Sequence, residues 1–212
     1  MNEWTAPLLL PSRLYTALDV ECRPCPVPPR PGTYAWYFDE QPPGVDTTLC
    51  HRVDDRYLLY VGISPKAPSL NGRPPSRSTL RQRIRTHYFG NAEGSTLRRT
   101  LGCLLSSKLG IALRRVGSGT RYTFTNPGEQ VLDQWMRQHA FVCWIETNAP
   151  WEVEAHLLTS GLRLPLNVDG NPCEEAVAAL RAARFKARQL ADQLDIIADS
   201  GGPRRTPVQV RP

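Results

Sequence analysis

The chain has 212 residues, 41 % of them hydrophobic, which is enough to bury one substantial core and predicts one decorated domain. It has no run of 18 apolar residues, and its first residues lack the basic leader and apolar segment of a signal peptide, so we expect a cytoplasmic protein. Six cysteines are too sparse in a chain of this length for a disulfide scaffold.

The net charge of +6 is concentrated in one segment. Residues 64–121 contain ten arginines, two lysines and a single acid, Glu93, so they carry +11 and leave −5 for the rest of the chain. A biased codon supply would enrich arginine everywhere, but it would not remove acids from this segment alone. Clustered guanidinium groups neutralise phosphates and release counterions, so the pattern predicts a nucleic-acid partner.

The first half of the chain predicts an irregular leader, two strands and two helices. Proline-rich residues 1–31 cannot form regular hydrogen-bonded structure throughout, because proline lacks the backbone donor. "GTYAWYF" (32–38) and "RYLLYVGI" (56–63) are typical of strands and are expected to pair antiparallel. Ser78 or Thr79 is placed to cap the first helix, and Ser95 or Thr96 the second, which ends near Gly110.

The second half predicts alternating strands and helices. A short strand at "RYTFT" precedes a helix at "GEQVLDQWMRQH", a third major strand at "AFVCWIET" and a helix beginning at Pro150. A long amphipathic helix over about 174–195 carries Arg181, Arg184 and Arg188, and we interpret it as a packing helix. The tail, 199–212, is predicted to be disordered.

In the stretch "LRQRIRTHYFG" (80–90), the helical period places the basic side chains on two different sides of the helix. At 100° per residue its apolar side chains form one stripe facing the core. Arg83 and His87, four residues apart, lie at one border of that stripe, whereas Arg81 and Arg85 lie on its other flank. The border pair is the better candidate for a site, and the flanking pair for general phosphate contacts.

The order of short motifs resembles the GIY-YIG nuclease superfamily. "GTY" lies on the first strand, "YVG" on the second, and an arginine with a histidine four residues on lies on the next helix. A glutamate on a later helix and a following asparagine complete the pattern. The matching residues are Tyr34, Tyr60, Arg83, His87, Glu154 and Asn167.

The resemblance covers residues 31 to about 168 and includes departures. Thr33 and Val61 replace the two isoleucines, and Ile63 stands where many members have lysine, so that Lys66 is an alternative source of that charge. The gap between Arg83 and the glutamate is longer than the compact family form needs, which implies an insertion over 91–125.

The chain offers two glutamates for the acidic role, Glu152 and Glu154. Two residues apart on a helix they point about 200° apart, so only one faces the sheet. Glu154 precedes Leu157 and Leu158 at the spacing of the buried side, and it also matches the family pattern. We therefore favour Glu154.

The resemblance implies a fold and a domain organisation. The expected fold is α+β: a small mixed β-sheet with antiparallel core strands, flanked by helices, with a helical basic insertion and a long C-terminal helix. The expected segments are a leader (1–31), a nuclease-like domain (32–170, with the insertion 91–125), a C-terminal helix (171–198) and a tail (199–212).

The resemblance also implies a metal-dependent DNA endonuclease. Glu154 would hold one Mg²⁺ or Mn²⁺, Arg83 would contact the phosphate, and Tyr34 would be the base for the attacking water, with its pKa lowered by nearby cations. Tyr60 and His87 would support the base or bind phosphate, and Asn167 would orient the site. The basic residues expected to hold DNA are Lys66, Arg81, Arg85, Arg98, Arg99, Arg114 and Arg115.

Two other interpretations stay open at this point. The same scaffold could be a non-catalytic nucleic-acid-binding module within a repair or defence complex, although no member of the residue set is missing. Cys22, Cys25, Cys50 and His51 could bind zinc, but zinc sites normally show two well-formed ligand pairs, and this pattern has only one.

Overall fold

The structure is a computed structural model that describes residues 4–68 and 76–198. The predicted tail, 199–212, lies outside the described residues. The helices are α1 (Ala6–Leu9), α2 (Ala17–Glu21), α3 (Leu80–Phe89), α4 (Thr96–Leu104), α5 (Ser106–Leu109), α6 (Thr125–His139), α7 (Pro150–Thr159) and α8 (Glu174–Asp192). The strands are β1 (Gly32–Phe38), β2 (Arg52–Val53), β3 (Arg56–Ser64), β4 (Arg114–Val116), β5 (Arg121–Thr123) and β6 (Ala140–Glu146).

Four strands form the main sheet in the order β2-β3-β1-β6. Every pairing in it is antiparallel, so the sheet expected to be mixed is antiparallel, and the α+β class is confirmed. Tyr34 on the central strand β1 lies opposite Gly62 on β3 and opposite Trp144 on β6. This register places the two tyrosine–glycine triplets side by side.

The central strand supplies both faces of the core. Tyr34, Trp36 and Phe38 face a cluster that includes the apolar residues of α3, α4 and α6. Ala35 and Tyr37 alternate with them and face a second cluster built with α1 and α7. Every residue of β1 is buried, because helices cover the sheet on both sides.

The leader is more ordered than its prolines predict. It contains α1 and α2, and the latter begins with a capping box in which Thr16 and Asp19 each bond the other's backbone amide. Tyr15 exchanges backbone hydrogen bonds with Val142 of β6, and Val20 is buried in the core. Prolines are tolerated because these helices are short and one proline occupies the first turn of α1.

The inserted segment 91–125 folds against the C-terminal helix. The helix expected to end near Gly110 is divided into α4 and α5, and the expected short strand, β5, pairs with β4, a strand that the sequence did not predict. α8 packs on α4 and on β4. No helix in residues 4–68 and 76–198 is long and apolar enough to cross a bilayer.

Candidate active site

Each triplet contains a glycine at which neighbouring atoms lie too close to the backbone for any side chain. A Cβ atom at Gly62 would lie 2.6 Å from the Tyr34 hydroxyl oxygen, because the Tyr34 ring lies across this position. A Cβ atom at Gly32 would lie 2.1 Å from the Ile145 carbonyl oxygen of β6. Real Cβ atoms do not approach so closely, so only glycine permits this pairing. Gly62 thereby leaves room for the Tyr34 ring, and Gly32 for the close approach of β1 to β6.

The helix α3 brings His87 to Tyr34. Its start is fixed by a capping box between Thr79 and Gln82, which selects Thr79 from the two predicted caps. His87 is fully buried, and its Nε2 lies 2.7 Å from the Tyr34 hydroxyl oxygen. Its Nδ1 lies 2.7 Å from Oγ of Ser95, the residue that caps α4. A buried chain of three polar side chains results.

His87 is neutral in this environment. Burial lowers its pKa well below the ordinary histidine value, and the positive charges of Arg83 and Arg98 lower it further. The imidazole therefore has one N–H donor and one acceptor nitrogen. It does not carry a second positive charge beside Arg83.

Burial dominates the acid–base behaviour of Tyr34. Its pKa is raised well above the ordinary value by burial, by Tyr60 and by Glu154, against the lowering effects of the Arg83 charge and a hydrogen bond to that side chain. The protein's own cations therefore do not bring the Tyr34 pKa below its ordinary value. Arg83 acts in the expected direction, but burial outweighs it.

Tyr60 lies beside the same histidine and is partly exposed. Its ring centroid is 6.0 Å from that of His87. Burial raises its pKa, and Arg83, the Thr96 side chain and Arg184 oppose that shift. Residues from α3, α4 and α8 thus act on a phenol carried by β3, which places Tyr60 where the insertion and the C-terminal helix meet the sheet.

The helix α7 carries Glu154, the acid that the sequence predicts for the site. The Thr33 hydroxyl donates to the carbonyl oxygen of Pro150 at 3.1 Å, which ties the start of α7 to β1. Glu154 is half-buried, whereas Glu152 is exposed, as the predicted choice between the two requires. Burial and the negative charge of Asp169 raise the Glu154 pKa to about 7, and Lys66 partly opposes this.

Glu154 suits a divalent cation that keeps part of its hydration shell. Burial is the largest cause of its raised pKa, and the positive charge of Lys66 offsets only part of the shift. No group of three or more His, Cys, Asp and Glu among the described residues could hold a metal by itself. Mg²⁺ usually binds through one or two carboxylates together with water and substrate phosphates, which is the ligand set that Glu154 would complete.

Asn167 acts on the backbone of β3. Its Oδ1 accepts from the Val61 amide and its Nδ2 donates to the Val61 carbonyl, each at 2.9 Å. Both polar ends of the side chain are therefore used within the protein. Because Val61 lies between Tyr60 and Gly62, Asn167 holds the second triplet in place, and this geometry supports an orienting role.

A comparison with protein families decides the assignment. The family described as the GIY-YIG catalytic domain matches residues 32–186. The chain belongs to this family. The chain therefore has a nuclease-type domain. GIY-YIG nucleases act on DNA and generally use divalent metal ions. No curated protein and no solved structure matches it. The GIY-YIG match ends inside α8, so it includes the insertion and Arg184.

Arg98 is not a DNA contact, which corrects its prediction from the basic run. Its side chain is fully buried, and its Nη2 lies 2.7 Å from Oε2 of Glu129. Its Nη1 lies 2.8 Å from Oδ1 of Asp133 and donates to the Tyr88 carbonyl at 2.8 Å. A guanidinium enclosed in this way cannot reach a phosphate, so Arg98 is structural.

Arg81 and Arg85 bond backbone carbonyls of the leader, whereas Arg83 bonds the Gly94 carbonyl. Arg81 donates through Nε to the Val27 carbonyl at 2.7 Å. Arg85 donates through Nη1 to the Val20 carbonyl at 3.0 Å. The predicted separation of these arginines from Arg83 is consistent with the structure. They anchor residues 20–27, and their contact with DNA phosphates stays a prediction.

The remaining predicted DNA contacts keep donors near the surface. Arg99 donates to the Ala92 carbonyl at 3.1 Å and pairs with Glu93. Arg114 and Arg115 donate to backbone carbonyls just after α8. Lys66 is exposed and acts electrostatically on Glu154. Their contact with DNA stays a prediction.

The four residues considered for zinc do not form a site. The Cys25 thiol donates to the Val20 carbonyl, and the Cys50 thiol to the Asp46 carbonyl. His51 Nε2 lies 2.6 Å from the Leu9 carbonyl oxygen. All six cysteines, including the exposed Cys22, are free.

Three residues of the site were missed by sequence reasoning. Ser95 was predicted as a helix cap, but its contact with His87 was not. Arg184 was assigned to a packing helix, yet its Nε donates to the Thr100 hydroxyl at 2.9 Å and its charge acts on Tyr60. Asp169 matches no motif, yet its charge raises the pKa of Glu154. Each meets the site through tertiary packing, for which one sequence gives no signal.

Proposed function

We propose that the protein is a metal-dependent endonuclease that hydrolyses DNA phosphodiester bonds. The observation that carries the proposal is the Tyr34 hydroxyl bonded to neutral His87, with Arg83 and Glu154 acting electrostatically on the same phenol. Phosphodiester hydrolysis needs a base for water, a cation for the phosphate and relief of charge on the leaving oxygen. The residue set supplies a group for each task.

Tyr34 is the proposed base for the attacking water. Its phenol is positioned rigidly over Gly62, so it can receive a proton in a fixed direction. The high pKa of the buried phenol means that only a small fraction is ionised in the free protein. Cations that approach with the substrate would increase that fraction, since opposite charge favours the ionised form.

Arg83 is the proposed phosphate ligand. It donates through Nη1 to the Gly94 carbonyl at 2.7 Å, which anchors one side of the guanidinium fork. A guanidinium carries five N–H donors in a fixed plane, so an anchored fork still offers donors for two phosphate oxygens. The same charge favours the ionised form of Tyr34, so phosphate binding and base activation involve one residue.

Glu154 is the proposed ligand of one Mg²⁺ or Mn²⁺. When bound, such an ion would supply charge stabilisation at the phosphate and at the leaving oxygen. Tyr60 would assist Tyr34 or bind phosphate, and Asn167 would hold the second triplet through Val61. Lys66, Arg99, Arg114 and Arg115 would add affinity without reading sequence.

Plasmid cleavage tests the proposal. We expect the purified protein to nick or cut plasmid DNA with Mg²⁺ or Mn²⁺ and to stop when the metal is chelated. Binding of a labelled duplex should weaken as salt is raised, because phosphate contacts release counterions. Tight, salt-sensitive binding without cleavage of linear, branched, single-stranded or modified DNA, in any of several divalent metals, would contradict the proposal and favour a non-catalytic binding module.

A further inference from the structure

Ser95 joins the insertion to the histidine of the site. It is fully buried, and as the cap of α4 its Oγ accepts from the Arg98 backbone amide at 3.1 Å. The same Oγ lies 2.7 Å from Nδ1 of His87. Among residues 4–68 and 76–198 these are the hydrogen-bonding partners of the Ser95 hydroxyl. The direction of the bond to His87 therefore decides where the hydroxyl proton goes.

Two proton arrangements fit the Tyr34–His87–Ser95 chain. In the first, Ser95 donates to Nδ1, and Nε2–H donates to the Tyr34 oxygen. In the second, Tyr34 donates to Nε2, and Nδ1–H donates to Ser95. The three residues carry one polar proton each but are joined by only two hydrogen bonds. One hydroxyl proton therefore has no acceptor among the three residues in either arrangement.

Both free protons would lie in buried positions, so their surroundings decide between the arrangements. In the second, the Ser95 proton has no acceptor, and an unmade hydrogen bond in the interior is costly. In the first, the free proton is on Tyr34, where the negative charge of Glu154 favours the protonated phenol, so the first arrangement is favoured. That is the proton which the proposed reaction must be able to exchange with water.

The charges around His87 exclude the competing role of proton acceptor. The groups that face the imidazole are Tyr34 from β1, Tyr60 from β3, Arg83 from its own helix and Arg98 from α4. Taking the Tyr34 proton outright would create a buried imidazolium. The charges of Arg83 and Arg98 both oppose it, so His87 can assist an ionised Tyr34 only as a hydrogen-bond donor.

We propose that Ser95 is a positioning residue that holds neutral His87 in its Nε2–H tautomer, so that His87 stabilises the ionised form of Tyr34. The tautomer itself depends only on the structure, whereas its value to catalysis rests on the proposed function. A residue of the insertion thus completes a site whose other members lie on the sheet, α3 and α7. Without Ser95, the imidazole is free to turn its lone pair toward Tyr34.

The tautomer can be measured without any activity. Full-length protein labelled with ¹⁵N at histidine should give a His87 spectrum with the protonated nitrogen at Nε2 and the bare nitrogen at Nδ1. The spectrum should not titrate across roughly pH 5 to 9, the range in which an ordinary histidine charges. The His87→Gln variant assigns the signals. An Nδ1–H tautomer, or a His87 that becomes charged in this range, would overturn the proposal.

Three variants test the part played by the hydroxyl. Ser95→Gly removes Oγ but keeps a residue that caps helices almost as well, and Ser95→Thr keeps the hydroxyl. We expect the glycine variant to lose the pure Nε2–H spectrum and the threonine variant to retain it. Thr16→Gly, which removes the cap of the remote helix α2, should leave the His87 spectrum unchanged. An unchanged His87 spectrum in Ser95→Gly would overturn the assignment to Ser95.

The rate profile then tests the catalytic value. In Ser95→Gly the apparent pKa of the basic group should rise by about one unit, with kcat roughly tenfold lower at neutral pH and little change in KM. A wild-type Nε2–H spectrum with no cleavage under any condition would contradict the proposed function but leave the tautomer assignment intact. Cleavage with an unchanged pH profile in Ser95→Gly would contradict the catalytic role alone.

Discussion

Replacing Arg98 by alanine should lower the free energy of unfolding by about 3 to 5 kcal/mol, the usual cost of breaking a buried ion pair by removing one partner. The substitution leaves the Glu129 carboxylate, which is 2 % exposed, without its guanidinium. Because Glu129 also accepts from the Ala92 and Phe124 amides, it is held in place and cannot move to solvent. Chemical denaturation measures the change.

Arg99→Ala is the matched control for this prediction. Arg99 is the next residue on α4, its side chain is 32 % exposed, and it pairs with Glu93 at the surface. Its loss should cost no more than about 1 kcal/mol, as for other exposed pairs. If the two alanine variants had the same stability, the buried Arg98 cluster would not be the structural centre that the geometry indicates.

Replacing Tyr34 by phenylalanine should lower kcat by about 10² to 10⁴, the range expected when a general base is removed. The aromatic ring and its packing over Gly62 are kept, but the hydroxyl and its bond to His87 are lost. Because burial raises the Tyr34 pKa, the wild-type rate should increase with pH through the neutral and alkaline range. In Tyr34→Phe the cleavage rate should depend much less on pH. DNA affinity should stay close to wild type.

Tyr37→Phe provides a control on the same strand. Tyr37 is also fully buried, but it lies on the opposite face of the sheet, where its hydroxyl donates to the Leu8 carbonyl at 2.8 Å. Its loss should affect stability and leave cleavage intact. If Tyr34→Phe cut DNA at the wild-type rate while Tyr60→Phe did not, the base would be Tyr60.

The fold was largely predictable because local signals agreed with each other. Alternating aromatic residues predicted β1, caps marked the starts of α3 and α4, and Gly110 marked the end of α5. The order of the leader was not predicted, because it depends on Arg81, Arg85 and β6, which lie far along the chain. Proline content limits regular structure but does not show what the chain packs against.

Site residues were predictable where a sequence motif identified both the residue and the strand or helix that carries it. The pairing of Tyr34 with His87 follows from a strand and a helix that each carry a recognisable pattern. Helix position also separated Arg83 from its neighbours. Charge counting failed for Arg98, since a basic run does not show which guanidinium finds a buried carboxylate such as Glu129 thirty-one residues on.

The insertion acquires a role that its composition did not suggest. Its basic residues predicted DNA contacts, but Arg98 supports the core, and Arg114 and Arg115 hold the chain just after α8. Its clearest contribution to the site is polar: Ser95 bonds His87, and the Thr96 side chain favours the ionised form of Tyr60. The segment therefore completes the site in addition to any contact with substrate.

The pH dependence of the metal requirement follows from Glu154. A proton and a divalent ion compete for this carboxylate, whose pKa is about 7. The Mg²⁺ concentration that gives half-maximal cleavage should therefore rise as the pH falls below that value. Glu154→Gln, which cannot bind the ion as a carboxylate, has no such competition.

The most direct test compares plasmid cleavage by Glu154→Gln and Glu152→Gln. The two glutamates lie two residues apart on α7 and undergo the same chemical change, but Glu154 is half-buried beside the site and Glu152 is exposed. We predict that Glu154→Gln lowers the Mg²⁺-dependent rate at least about a hundredfold, since a catalytic metal supplies several kcal/mol, whereas Glu152→Gln cuts like the wild type. Equal rates for the two variants would contradict the proposed metal-dependent nuclease site.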